Sequence, residues 1–206
     1  MIVYHTAFDL QFFYDWNLDV THGAWKIFQI AVASLFLIIS GISAGFWTTK
    51  SDALQRGIRR GLWILSAAML VSLVTVIADP ETWVRFGILH LIALAAFVLP
   101  LLRHLHPILI GALGIVCIAL TPLDLMPVIV SVDYAPPVPW LGAVLLGFAV
   151  GIPIAKRPRV DHTPMHRGRD GPLLECLLWP GRHSLTIYLV HQPVILSVLW
   201  IIFGRA

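Results

Sequence analysis

The sequence predicts an all-α protein: a polytopic transmembrane helix bundle of six full spans plus a partial first helix, in a single domain over residues 1–206. Three observations point there. Only 12% of the 206 residues are charged and 58% are hydrophobic, with a mean hydropathy of +0.85. Soluble domains carry about 25% charged residues, so the deficit assigns the chain to the membrane class. Apolar runs use up most of the length and leave no room for a separate soluble domain. Finally, the Lys and Arg residues between those runs fall almost entirely on one side when alternate loops are grouped.

The first thirteen residues are apolar but too short to span a bilayer alone, and they carry His5 and Asp9. They are expected to be the outer part of a first helix whose beginning is truncated here. A short polar stretch, residues 17–26, contains Asp19 and His22 and leads into residues 27–47, twenty-one positions without a charge. About 20 apolar residues are needed for a helix to cross a bilayer core. Further spans are expected at residues 62–78, 86–102, 108–123, 140–155 and 185–203.

Glycines four apart, at Gly41 and Gly45, Gly57 and Gly61, and Gly147 and Gly151, allow close helix approach. Pro193 lacks an N–H and is expected to kink the last helix just beyond His191 and Gln192.

Loop charge sets the orientation. One set of loops holds Lys50, Arg56, Arg59, Arg60, Arg103, Lys156, Arg157, Arg159, Arg167, Arg169 and Arg182, and the other only Lys26, Arg85 and Arg205, a split of eleven to three. The first set is expected in the cytoplasm, with the N-terminus, in a multi-pass protein of the cell (inner) membrane. The loops at residues 17–26, 79–85 and 124–139 then lie outside. The long inner loop, residues 156–183, reads either as a solvated segment meeting anionic lipid headgroups or as a docking surface for a phosphorylated cofactor. Cys117 and Cys176 lack metal or disulfide spacing. No metal, haem or nucleic acid is expected.

Ionisable groups inside a membrane are costly, so each one calls for a function or a partner. His5 and Asp9 are four apart on one helical face. His90 lies about one turn inside the outer end of its helix, and Asp133, Tyr134 and Trp140 flank a proline-rich outer loop. With His22 these residues are expected to converge on one outward-facing pocket. His191 lies deeper, reached from the inner end through Arg182, His183 and Tyr188. Structural roles compete throughout: Asp9 bonded to His5 or a neighbouring helix, His90 a satisfied buried histidine, Tyr134 and Trp140 interfacial anchors. His191 with Gln192 could likewise serve only the carbonyl freed at the proline kink, and His22 could be an ordinary loop histidine. Imidazole titrates near neutral pH and can act as general base or as nucleophile toward an acyl group. Asp9 or Asp19 could orient the His22 ring.

Several stretches resemble one family. His22-Gly-Ala-Trp, Ala33-Ser-Leu-Phe-Leu-Ile-Ile-Ser-Gly41, Phe86-Gly-Ile-Leu-His90, Asp133-Tyr134, Pro139-Trp140-Leu-Gly142 and Gly181-Arg-His-Ser-Leu-Thr-Ile-Tyr188-Leu-Val-His191-Gln-Pro193 are similar to bacterial membrane proteins sharing the heparan-α-glucosaminide N-acetyltransferase catalytic domain. The chain departs from them in starting after the family's Asp-x-x-Arg-Gly segment, and the eukaryotic member has more helices. The resemblance implies transmembrane acetyl transfer from cytoplasmic acetyl-CoA to an amino-sugar or related acceptor outside, with His22 matching the family's catalytic loop histidine. On this assignment His22 and Asp9 are catalytic, and His5, His90, Asp133, Tyr134 and Trp140 bind the acceptor. Arg182, His183 and His191 line the donor path, and Arg-rich inner loops attract the CoA phosphates. The partners are then the lipid bilayer, acetyl-CoA and the acceptor, with a homodimer left open. Competing functions are a proton-coupled transporter using the intramembrane His and Asp groups, a b-type cytochrome ligated by His90 and His191, and a membrane subunit without catalysis.

Overall fold

The computed structural model describes residues 1–123, 131, 133–157, 179, 181 and 183–204. The helices are α1 (Ile2–Tyr14), α2 (Gly23–Thr48), α3 (Ala53–Ala78), α4 (Ile88–Leu102), α5 (Pro107–Ala119), α6 (Pro137–Lys156) and α7 (Ser184–Phe203), with a 3₁₀ turn at Thr121–Leu123. Among the described residues there is no strand, only an isolated bridge between Phe86 and Tyr134. Each of the six expected apolar spans is helical. Gly23–Thr48, Ala53–Ala78, Pro137–Lys156 and Leu185–Phe203 are long and apolar enough to cross a membrane. This is an all-α membrane bundle.

Two boundaries differ instructively from expectation. α3 begins at Ala53, because Arg56, Arg59 and Arg60 occupy its first two turns instead of a loop. Arginine is a good helix former whose long stem lets the charge reach the polar boundary. The expected span at residues 108–123 instead ends its α-helix at Ala119 and tightens into the 3₁₀ turn around Pro122, which cannot continue an α-helix.

The chain divides into two compact units, Met1–Val32 with Pro158–Ala206, and Ala33–Arg157. In the second unit α4 is the central helix: ten of its fifteen residues are buried, and it is apolar on every side, as a buried helix must be. Its partners are α3 and α6, and α5 pairs with α6. Phe148, Leu37, Leu91, Leu99, Ile110, Ile152 and Val144 form the fully buried core. Glycines set how closely the helices approach. A Cβ on Gly41 would collide with the Val144 carbonyl, one on Gly147 with the Ile38 carbonyl, and one on Gly151 with the Ile42 carbonyl. The paired glycines of α2 and α6 therefore lie in each other's backbone. Those of α3 face α4, where a Cβ on Gly57 would come 2.7 Å from the Ala96 carbonyl. Outward positions such as Trp63, Ile77 and Ile108 expose large apolar side chains, a surface matched to lipid instead of water.

In the first unit α1 and α7 run in the same direction. His5 lies against His191 near their starts, Asp9 bonds Gln192, and at their ends the Tyr14 hydroxyl donates to the Gly204 carbonyl at 3.1 Å. The connection after α1 folds back along it. The Val20 N–H donates to Gln11 Oε1 at 3.0 Å, and the Val20 side chain packs with Tyr4 and Ala7 beneath Leu18 and Trp25.

Gly147→Leu is expected to destabilise the chain by about 1–3 kcal/mol or more, as overpacking does, lowering its unfolding midpoint in detergent. Gly111→Ala serves as the control, because its added carbon would meet only Ala149 Cβ at 3.7 Å.

Candidate functional site

His22 stands at the turn into α2, immediately before Gly23, whose φ of +60° places the backbone in the left-handed region that glycine tolerates best. Its Nδ1 lies 3.0 Å from Asp19 Oδ1, and Thr21 Oγ1 lies 3.1 Å from the same oxygen and 3.0 Å from Nδ1. An ionised carboxylate only accepts, so Nδ1 carries a proton, and in the neutral ring Nε2 presents its lone pair. Of the two carboxylates expected to orient this ring, Asp19 is the one in contact. The His22 hydrogen bond, foremost among several, holds the Asp19 carboxyl below the usual carboxylate range. The side chains are well exposed, 80% for His22 and 66% for Asp19.

Asp9 has other company. It is completely buried, and both its oxygens accept from Gln192 Nε2, at 2.8 and 2.9 Å. The His5 and His191 rings meet edge to face at 4.9 Å between centroids. His191 Nδ1 lies 2.6 Å from the Tyr188 carbonyl, one residue before the Leu189 carbonyl that Pro193 deprives of its usual donor. His183, at the start of α7, stacks on Trp179 with 4.7 Å between ring centroids and is exposed. Arg182 lies outside the described residues, as do Arg159, Arg167, Arg169, Arg205, Cys176 and most of the loop at residues 156–183.

The second unit gathers His90, Asp133 and Tyr134 around the start of α4. Asp133 Oδ2 accepts from the Ile88 N–H at 3.0 Å, and His90 Nδ1 from the Gly87 N–H at 3.2 Å. The Ala135 N–H donates to the Phe86 carbonyl at 2.9 Å, and Ser131 Oγ donates to the Trp83 carbonyl at 2.9 Å. Asp133 thus does the work of an N-cap from outside the helix, its negative charge set at the positive end of the helix dipole. Gly87 leaves room for it, since a Cβ there would strike the Asp133 carboxylate. Trp140 is half-buried in the first turn of α6. Of the residues expected in one pocket, His5, Asp9 and His22 belong to the first unit, and His90, Asp133, Tyr134 and Trp140 to the second.

A further feature of the second unit is a groove of about 710 Å³ lined by Trp47, Arg56, Arg59, Arg60, Trp63 and Ser66, with Leu62. Sequence reasoning counted these arginines as loop charges. The signal that identifies the groove is the helical spacing of Arg56, Arg59, Arg60 and Trp63, which places them along one side of α3. Three guanidinium groups beside two indoles suit a phosphorylated ligand. Among the described residues, no three His, Cys, Asp or Glu side chains are grouped to hold a metal ion.

One family model, described as heparan-alpha-glucosaminide N-acetyltransferase, catalytic, matches residues 1–193. No curated protein and no solved structure matches the chain.

The Asp19–His22 bond has a titration signature. A carboxyl whose folded-state pKa is depressed contributes stability above its unfolded pKa and loses it as pH falls through the folded one. In His22→Ala, the Asp19 carboxyl is expected to titrate at a higher pH, nearer an ordinary aspartate, as followed by its carboxyl carbon in NMR. An unchanged Asp19 titration would show that the bond does not form in solution.

Proposed function

This chain belongs to the heparan-alpha-glucosaminide N-acetyltransferase catalytic family, and on that premise we propose that it moves an acetyl group across the cell (inner) membrane. The donor is acetyl-CoA engaged from the cytoplasm, and the acceptor is an amino-sugar or related amine on the outer side. The observation that carries this function is the family match over residues 1–193. The split of basic residues in loops and at helix ends, eleven against three along the sequence, supports the orientation, with the N-terminus inside and the His22 loop outside.

His22 acts as base or acyl carrier. As base, Nε2 takes a proton from the acceptor amine while nitrogen bonds to the acetyl carbon and the carbon–sulfur bond breaks, and the departing thiolate is then protonated to the free thiol. As carrier, the same nitrogen attacks the thioester carbon, the carbon–sulfur bond breaks and CoA leaves as a thiolate that is then protonated. The acceptor amine next takes the acetyl group from the ring as the nitrogen–acyl bond breaks, and the freed imidazole nitrogen takes up the amine's proton. Asp19 supports either course by fixing the tautomer and stabilising the positive charge that develops on the ring. Asp9 supports the site from α1. His5, His90, Asp133, Tyr134 and Trp140 contact the acceptor, and for Asp133 and His90 that role is added to their work of holding the start of α4. On the inner side Arg182 and His183 flank the donor path. The groove of Arg56, Arg59 and Arg60, with Trp47 and Trp63 beside it, offers the charge and the aromatic faces that a nucleotide with phosphates needs.

Membranes bearing the chain, incubated with radiolabelled acetyl-CoA and a panel of amino sugars, are expected to label at least one of them. His22→Ala is expected to reduce that transfer by about 100-fold or more, the range of general acid–base catalysis, and Asp19→Asn to reduce it less. A folded His22→Ala protein transferring at the native rate would overturn the role of this histidine.

A further inference from the structure

The geometry points to the His5–Asp9–His191–Gln192 cluster between α1 and α7 as a subsite that binds the amino group of the acceptor. This rests on the acetyl-transfer function proposed above and adds to it where the amine is held and what recognises it.

The argument starts from which atoms still lack a partner. Gln192 has one amide group, and its Nε2 faces both oxygens of the buried Asp9 carboxylate, at 2.8 and 2.9 Å. The opposite amide orientation would set Oε1 against those oxygens, so the carboxylate fixes it. Gln192 Oε1 therefore points elsewhere, buried and without a donor among the described residues. The same holds for the neighbouring residue. His191 Nδ1 sits 2.6 Å from the Tyr188 carbonyl, which can only accept, so Nδ1 carries the ring proton. In the neutral ring Nε2 is then a lone pair, and it too is buried without a partner among the described residues.

Buried acceptors without donors are rare in native proteins, because desolvating them goes uncompensated. Here two occur on consecutive residues of α7, beside a carboxylate that is 0% exposed and a second imidazole 4.9 Å away. Neither ion pair seen among the described residues, Asp19 with His22 and Asp52 with Arg56, neutralises Asp9. The cluster offers acceptors and negative charge, and a matching ligand brings donors. A primary amine or its ammonium form has two or three N–H bonds for His191 Nε2 and Gln192 Oε1, with Asp9 adding attraction for the charged form. Phosphates and thioester carbonyls have only lone pairs to present and are repelled. The sequence sets His191 on the donor path; its hydrogen-bonding chemistry suits the acetyl acceptor.

The test uses the full chain in nanodiscs, with glucosamine as the amine, N-acetylglucosamine as the same sugar with the amine capped, and CoA as the donor-side probe. The native chain is expected to bind glucosamine more tightly than N-acetylglucosamine. His191→Phe is expected to weaken glucosamine binding about ten-fold, as the loss of a hydrogen bond to a charged donor does, and to leave CoA affinity unchanged. Because that variant could fail to fold, the native chain is also labelled with ¹⁵N-histidine: the His191 Nε2 resonance should shift with glucosamine and stay put with N-acetylglucosamine. Equal affinity for the two sugars, native glucosamine binding by folded His191→Phe, or a silent Nε2 resonance would each overturn the subsite. The two proposals fail separately. Acetyl transfer with an unaltered KM for the amine in His191→Phe removes the subsite and keeps the function, whereas glucosamine binding at His191 without any transfer removes the function and keeps the subsite.

Discussion

The contact on which the larger unit depends is the backbone-to-backbone approach of α2 and α6. Lipid tails are as apolar as leucine, so no hydrophobic force drives helices together inside a bilayer, and close packing must do that work. Gly41 and Gly45 on one helix, and Gly147 and Gly151 on the other, remove the side chains that would hold the axes apart. α6 then uses Gly142 in the same way toward α5, where an added Cβ would come 2.6 Å from the Gly114 carbonyl. With α6 seated against neighbours on two sides, Val144, Phe148 and Ile152 are sealed in the interior and the core around α4 can form.

Once the helices are placed, polar groups inside them need partners, and this requirement separates the histidines by role. His90 is engaged at the first turn of its own helix by the Gly87 N–H, and His183 lies over Trp179. His22 and His191 are each anchored through Nδ1, to a carboxylate in one case and a carbonyl in the other. In the neutral form each ring then turns Nε2 away from its anchor, one in an exposed loop and one between helices. In each case the partner on the far side of the ring sets the tautomer.

Much of this was legible in the sequence, and the gaps have physical causes. Apolar runs marked all six helices beyond the first because the bilayer imposes a minimum length and forbids charge. The start of α3 was misplaced because arginine inside a helix reads as loop until its stem is allowed to reach a polar boundary. The glycine pairs were visible as spacings, but nothing in the spacing says that Gly147 faces Ile38. Asp133 read as an acceptor contact, and its work at the start of α4 was hidden because the N–H it bonds lies 45 positions earlier in the chain. Asp9 and Gln192 are 183 positions apart. For Asp9 the sequence offered His5 or a neighbouring helix as partner and could not point to Gln192, whereas Asp19 was legible because its partner is three residues away.

The parallel pairing of α1 and α7 has a mechanical corollary. The two helices are riveted at two heights, by Asp9 with Gln192 at one level and by Tyr14 with the Gly204 carbonyl at another. A slip of one residue along the axis displaces the chain by about 1.5 Å and would break both attachments, and a rotation of either helix would undo the first. The two attachments therefore hold α1 and α7 in one register, and a movement of either helix along its axis has to carry the other with it.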